Sequence, residues 1–117
     1  MKINGLLTHE DRWTQNCIAR DKQGNALKDI NTFYSQRVDK KGNIFYQEFR
    51  NEDSAYSFSL QGAVIKCYEP DSRDQVMDKL RDAITRHTRK AYWVAQFNDL
   101  PDTTFDDVKC VIEIAGV

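Results

Sequence analysis

The sequence has little of what metal sites, phosphate-binding loops and cofactor sites require. Its 117 residues include three cysteines, two histidines and five glycines. The cysteines and histidines form no C-x-x-C or H-x-x-x-H pair, and no segment gathers several glycines as a phosphate-binding loop does. We therefore expect no metal and no cofactor.

An excess of one charge and a long apolar run are also missing. Seventeen basic and eighteen acidic side chains give a net charge of -1, so no overall field attracts phosphate backbones or acidic lipids. The apolar run at 63–65 is too short to span a bilayer, and the N-terminal segment lacks the apolar core of a signal peptide. The cysteines, Cys17, Cys67 and Cys110, are odd in number and widely spaced, which suits reduced thiols. We expect a cytoplasmic protein with no membrane partner.

The composition is that of a small globular protein. Hydrophobic residues make up 40% and charged residues 30% of the chain, a balance that allows a core large enough to offset chain entropy. We expect one domain over residues 1–117, of class α+β, with about three helices packed on a short antiparallel sheet or hairpin.

The first half of the chain reads as extended segments joined by turns. Large and polar residues alternate over 13–19, which predicts a strand, and turn-forming residues follow at 21–25. A hairpin is predicted from strands at 34–38 and 44–49, joined by a turn in which Gly42 takes a positive φ angle. Because its first strand is polar, this hairpin is expected to be an exposed arm or an edge.

A helix is predicted over 52–68, with Asn51 as its N-cap. Its apolar residues fall on one helical stripe, which consists of Tyr56, Leu60, Ala63, Val64 and Cys67. Gly62 inside the helix costs about 1 kcal/mol relative to alanine. We therefore expect Gly62 to allow the close approach of another helix.

A second helix is predicted to begin with a capping box of Ser72 and Gln75 and to end near Lys90. Its predicted buried face consists of Val76, Leu80, Ala83, Ile84, His87 and Ala91. Residues 92–97 are rich in aromatic side chains and are predicted to be extended.

A last helix is predicted to begin at Thr103 or Thr104, with Asp106 or Asp107 completing a capping box. Its shared apolar face would hold Phe105, Val108, Val111, Ile112 and Ala115. A strand over 108–117 is the competing interpretation, because that segment is rich in β-branched residues.

Three segments of the sequence are similar to segments of a known protein family. WTQNCIARDKQGN at 13–25, AYSFSLQGAV at 55–64 and FNDLPDTTFDDV at 97–108 resemble the Trp-Thr-Gln and Ala-Arg-Asp motifs, the Gly-Ala helix and the Asn-Asp loop of an uncharacterised family of small bacterial and phage proteins. In that family a Trp-Cys pair stands where this chain has Phe58 and Ser59, and residues 33–49 look like an inserted hairpin arm. The resemblance implies an architecture and no particular chemistry.

One candidate site joins the first and the last of these segments. It is a polar cluster of Trp13, Gln15, Arg20, Asp21, Asn98 and Asp99. We expect Arg20 or Asp21 to meet Asn98 or Asp99 through paired charge and hydrogen bonds. A structural latch is favoured over a ligand pocket, because buried paired polar groups more often specify a fold than bind a substrate.

Nucleophilic catalysis would need Ser59 or Cys17 beside a histidine and Asp99. His87 lies on an apolar stripe, which favours a half-buried histidine bonded to a neighbour, and His9 is expected at the surface. Basic residues crowd the second helix, which admits a nucleic-acid site. The favoured interpretation is that these cations complement the helix dipole and are neutralised by Asp78 and Asp82.

These features favour a non-enzymatic accessory protein that acts through protein–protein contact, and the resemblance implies a phage-derived protein aimed at a host system. Its expected contact surface is the aromatic set of the arm, which consists of Phe33, Tyr34, Phe45, Tyr46 and Phe49. The alternative is a small enzyme that uses the polar cluster. Nucleic-acid binding ranks third.

Overall fold

The computed structural model of the protein describes residues 1–27, 32–50 and 55–117, and for 32–37 and 45–50 it describes the backbone alone. It confirms the α+β class. The helices are α1 (Ile3–Leu6), α2 (Leu60–Cys67), α3 (Pro70–Thr88), α4 (Val94–Asp99) and α5 (Phe105–Ala115), with a 3-10 turn at Glu10–Arg12. The strands are β1 (Ala19–Arg20), β2 (Ala26–Leu27), β3 (Thr32–Val38), β4 (Ile44–Arg50) and β5 (Ser57–Phe58).

The core lies where α3 packs on α5, with α1, α2 and α4 closing around them. Four of the residues predicted on the buried face of α3 are buried: Val76, Leu80, Ala83 and Ile84. His87 is half-buried and Ala91 is exposed. On α5, buried residues recur at i, i+3 and i+4, namely Val108, Val111 and Ile112.

A small antiparallel sheet of order β2-β1-β5 lies against this core. Ala19 is buried and pairs with Leu27 on one side and with Phe58 on the other. The strand predicted over 13–19 is therefore shorter than expected. Trp13 still joins the sheet through an isolated bridge to Phe58.

The hairpin arm, which comprises β3, β4 and the turn at 39–43, is present as predicted. Its strands extend the predicted arm by one residue at each end and pair in one continuous register from Thr32↔Arg50 to Val38↔Ile44. Gly42 has φ 85°, the left-handed conformation that glycine adopts without steric cost.

The same five-residue turn occurs twice in the chain, as Asp-Lys-x-Gly-Asn at 21–25 and at 39–43. In each copy the aspartate Oδ1 accepts hydrogen bonds from the second and fourth following backbone N–H groups, at 2.8–3.0 Å. These bonds favour the charged carboxylate and lower the pKa of Asp21 and of Asp39, with the bonds from Asn25 and Asn43 as the largest causes.

The helix predicted over 52–68 is wrong in its first half. The predicted cap Asn51 and first-turn residues lie outside the described residues, but Tyr56 precedes β5, and the helix begins only at Leu60. Ser59 is the N-cap, with its Oγ accepting from the N–H of Gly62 at 3.0 Å. Pairing of β5 with β1 holds residues 57–58 extended and prevents an earlier helical start.

Gly62 lies close to another segment of backbone, as predicted, but that segment is not the helix that we expected. A Cβ atom at Gly62 would overlap the carbonyl oxygen of Ile18. The approaching backbone belongs to the bend before β1 and not to another helix.

Two further elements differ from the prediction, and the predicted last helix is confirmed. The helix that was predicted to begin at a Ser72 cap begins at Pro70. Proline suits the first helical position because its missing N–H would have no intrahelical partner there. Residues 94–99 form the short helix α4 and are not extended. The last segment is helical and not a strand, and the capping box at its start joins Thr104 to Asp107.

Candidate functional site: the Asn98 latch and the hairpin arm

Asn98 is fully buried at the end of α4 and is the centre of the polar cluster. Its Oδ1 accepts from Trp13 Nε1 at 2.8 Å and from the backbone N–H of Leu60 at 3.0 Å. Its Nδ2 donates to the Thr14 carbonyl at 3.1 Å and to Asp99 Oδ1 at 2.9 Å. The amide thus uses both lone pairs and both protons. We call this set of contacts the Asn98 latch.

Two neighbouring side chains extend the latch. Gln15 Nε2 donates to the carbonyls of Asn98 and Leu100 at 2.9 and 3.0 Å, which satisfies acceptors that the end of α4 leaves without intrahelical partners. Asp99 Oδ1 accepts from the backbone N–H of Asn16 at 2.8 Å. Asn16 has φ 66°, a conformation that asparagine tolerates better than most residues.

Arg20 and Asp21 do not take the places expected for them. The Arg20 guanidinium donates to Thr14 Oγ1 at 2.8 Å, to the Gln15 carbonyl at 3.3 Å and to the Gly24 carbonyl at 3.0 Å. Asp21 caps its own turn. The structure therefore brings together Trp13, Gln15, Asn98 and Asp99, while Arg20 braces the backbone behind them.

A cavity of about 180 Å³ lies beside the latch, lined in part by Cys17, Ser59 and Asp99. Ser59 Oγ donates to the Ile18 carbonyl at 3.2 Å and accepts from Gly62, so its hydroxyl serves the backbone. Cys17 Sγ lies 3.7 Å from the Gln15 carbonyl. Neither candidate nucleophile has a histidine among its hydrogen-bond partners, so the sequence-proposed combination with His9 or His87 is not assembled.

His87 is half-buried and bonded to a neighbouring side chain, as expected, and its partner is a residue that the sequence did not indicate. Its Nε2 lies 3.0 Å from Asp107 Oδ1, and this contact joins the end of α3 to the start of α5. The pKa of Asp107 is lowered, first by the hydrogen bond from the Thr104 backbone N–H and next by the bond to His87. Asp107 had been assigned only to the capping box, and no local sequence signal indicates a partner twenty residues away.

The hairpin arm forms a sheet of two strands, so each strand has one edge without a strand neighbour in the described part of the chain. Register places Phe33 opposite Phe49. Because cross-strand partners share a face and alternate positions change face, Phe33, Phe45 and Phe49 fall on one face and Tyr34 and Tyr46 on the other. The side chains of these five residues lie outside the described part.

The tip of the arm is described in full. Val38 and Ile44, which pair across the last rung before the turn, have 64% and 60% of their surface exposed. Exposed apolar residues at the end of a two-stranded sheet are available for contact with another molecule.

Within residues 1–27, 32–50 and 55–117, no group of three or more His, Cys, Asp or Glu side chains is arranged to hold a metal ion. The three cysteines are free thiols. No helix in the same ranges is long and apolar enough to cross a membrane.

Comparison with known proteins identifies a family. The model of a family described as a family of unknown function (DUF6197) matches residues 2–116, and the chain belongs to that family. No curated protein and no solved structure matches the chain.

Proposed function

We propose that this member of the family is a non-enzymatic binding protein that attaches to another protein through the hairpin arm, with the helical body as a rigid support. The observation that carries the proposal is the arm itself. In the described part of the chain it is a two-stranded sheet whose outer edges have no strand partner, its sequence holds five aromatic residues, and its tip is apolar and exposed.

The dimensions of the molecule support a projecting arm. The radius of gyration is 16.4 Å and the longest extent is 60 Å. A compact chain of this length would have a radius of gyration of about 13 Å. The larger radius of gyration fits a hairpin that extends away from the body.

The charge of the arm favours an acidic partner surface. Residues 32–50 include four basic side chains, at Arg37, Lys40, Lys41 and Arg50, and two acidic ones. The whole chain has a charge of -1, so the arm is locally positive. Aromatic and arginine residues are also those that contribute most to protein–protein contacts.

The Asn98 latch supports a protein without a catalytic centre. The side-chain amide of Asn98 has all its donors and acceptors bound within the latch, and no buried side-chain nitrogen or oxygen in the described ranges lacks a partner. A catalytic group needs a hydrogen-bonding position free for substrate. The observation that favours the alternative, a small enzyme, is the cavity of about 180 Å³ beside Asp99.

Two finer points belong to the same proposal. A phage origin, with a host system as the target, is supported by the sequence resemblance described above. A cytoplasmic location is supported by the three free thiols, which suit a reducing compartment.

A photo-crosslinking residue at Ile44 tests the proposal in the native host. The matched control is the same residue at Ile114, an exposed apolar position on α5. We expect a defined crosslinked protein from position 44 and none from position 114. Equal products at both positions, or none at position 44, would contradict the proposal.

A further inference from the structure

The two hairpins of the chain share their turn but differ at one edge. The turn at 21–25 joins β1 to β2 and the turn at 39–43 joins β3 to β4. In both turns the backbone N–H of the aspartate donates to the carbonyl of the closing asparagine, at 3.0 Å in the first and 2.9 Å in the second. The residues that flank the two turns therefore correspond, and β3 is the equivalent of β1.

In the body of the protein, a third strand fills the outer edge of β1. The strand β5 pairs with β1 in antiparallel register and places Ser57 opposite Arg20. The carbonyl of Arg20, the last residue before the turn, accepts from the backbone N–H of Tyr56 at 2.8 Å. A hairpin closed by this turn thus accepts an added strand along the edge of its first strand.

The corresponding edge of β3 has no strand neighbour within residues 1–27, 32–50 and 55–117. Val38 stands where Arg20 stands in the body, directly before the aspartate of the turn. The rung that closes the turn is hydrogen-bonded, and rungs with and without hydrogen bonds alternate in an antiparallel pair. The backbone N–H and C=O groups of Val38, Gln36 and Tyr34 therefore face away from β4.

This edge lacks the features by which proteins keep an edge strand from pairing. Proline, several charges, a bulge or a very short strand commonly protect such an edge. The strand β3 has seven residues, contains no proline and has Arg37 as its one charged residue. It pairs with β4 without a bulge. Its outer edge is therefore suited to receive another strand.

The charge beside this edge selects the kind of strand that fits. The segment 32–41 has three basic residues, Arg37, Lys40 and Lys41, and one acidic residue, Asp39. The Asp39 carboxylate already accepts backbone N–H groups of its own turn. A second copy of the arm would bring the same positive charge to the edge, and like charges on neighbouring strands are destabilising. An acidic strand brings the opposite charge.

We propose that the outer edge of β3 binds an extended acidic segment of the partner protein as an added antiparallel strand, in the way that β1 binds β5. The inference rests on the function proposed for the hairpin arm and specifies what the arm recognises. In strand addition, main-chain hydrogen bonds give affinity and the side chains at alternate positions give specificity. The partner segment is therefore free of proline and richer in acidic than in basic residues.

A proline in β3 tests the edge, with the photo-crosslinking residue kept at Ile44 and the crosslinked product measured in the native host. Gln36→Pro removes an N–H that pairing with β4 does not use, and proline is tolerated at such positions of edge strands. We expect the product to fall at least about fivefold, because the added strand loses a hydrogen bond and meets the proline ring.

Glu48→Pro is the matched control, because the N–H of Glu48 faces the outer edge of β4 by the same alternation. It places the same ring on the opposite edge of the arm. We expect the product from this variant to stay within about twofold of that from the unaltered arm.

Matched charge reversals test the acidic character of the partner segment. Lys40 and Lys22 occupy the same place in the two copies of the turn, and both are exposed. Lys40→Glu should lower the product at least about threefold, because it brings a negative charge close to an acidic strand. Lys22→Glu, in the body, should leave the product unchanged. Mass spectrometry of the product identifies the crosslinked segment.

Four results would overturn the inference and leave the contact through the arm in place. They are an unchanged product from Gln36→Pro, an equal loss from Glu48→Pro, equal effects of the two lysine reversals, and a crosslinked segment that is basic or contains proline. No product from the unaltered arm would instead contradict the function proposed for the arm, and this inference with it.

Discussion

The indole N–H of Trp13 donates to the side-chain oxygen of Asn98 at 2.8 Å, across 85 positions of the chain. This bond joins the segment before the small sheet to the end of α4. The amide of Asn98 receives or donates three further hydrogen bonds, so one side chain ties together Trp13, Thr14, Leu60 and Asp99.

Replacing Asn98 should therefore destabilise the whole domain. Asn98→Ala leaves the Trp13 indole N–H, the Leu60 N–H and the Thr14 carbonyl without their partner, and unsatisfied buried polar groups cost about 1–3 kcal/mol each before relaxation. We expect a loss of about 3 kcal/mol in the free energy of unfolding, measured by urea titration. Asn4→Ala, at an exposed asparagine, is the control and should change it by less than about 0.5 kcal/mol. Similar values for the two variants would refute the role of the latch.

Gly62 should not tolerate a side chain. Alanine favours a helix by about 1 kcal/mol over glycine, but its Cβ would overlap the Ile18 carbonyl oxygen, and such overpacking costs about 1–3 kcal/mol or more. We expect Gly62→Ala to lose about 2 kcal/mol of stability by urea unfolding. Gly5→Ala in α1, where the nearest atom is a methionine side chain at 3.7 Å, should be neutral or slightly stabilising. A stable Gly62→Ala protein would show that the close approach is absent.

The contribution of Asp107 to stability should depend on pH. Its folded-state pKa is lowered from 3.8, so its stabilisation is complete above that value and is lost as the pH falls through the folded-state pKa. At pH 7 we expect Asp107→Ala to cost about 1 kcal/mol, a typical loss for a helix cap, and the difference from wild type to shrink below about pH 4. Asp106→Ala is the neighbouring control, with an expected effect under about 0.5 kcal/mol. A difference that is the same at pH 7 and pH 3 would contradict this account.

The two copies of the turn allow the stability of the arm to be tested apart from that of the body. Asp21 serves the sheet β2-β1-β5, whereas Asp39 serves the arm. Asp21→Ala should therefore lower the free energy of global unfolding, because the turn between β1 and β2 loses the hydrogen bonds that its side chain accepts. Asp39→Ala should leave global unfolding unchanged and accelerate amide exchange in β3 and β4 alone. Equal effects of the two variants on global unfolding would mean that the arm folds as part of the core.

Sequence reasoning found much of this architecture where the signal was local. The arm, its Gly42 turn and the Thr104 capping box depend on neighbouring residues, and each was predicted. The late start of α2 was missed because it is decided by pairing of β5 with β1, a contact between segments far apart in the chain. The helix α4 has six residues, too few for a helical period to stand out.

The sequence predicted where the polar cluster lies and four of the six residues that were expected in it. Trp13, Gln15, Asn98 and Asp99 come together, but Arg20 and Asp21 were placed wrongly. Asp21 could have been assigned correctly, since the Asp-x-x-Gly-Asn spacing that it shares with Asp39 indicates a self-capped turn. The partners of Arg20 could not, because a guanidinium with five donors fits many acceptors, and only the tertiary fold decides among them.

The most direct test of the central claim is the affinity of the crosslinked partner for an altered arm. The variant combines Phe45→Thr and Phe49→Thr, two positions that share a face of the arm and where threonine keeps a high strand propensity. By equilibrium titration we expect its Kd to rise at least about tenfold, since loss of a central aromatic contact costs about 1.4 kcal/mol or more, while Ile114→Thr binds as wild type does. A Kd for the arm variant within about twofold of wild type would contradict the claim that this protein works through its hairpin arm.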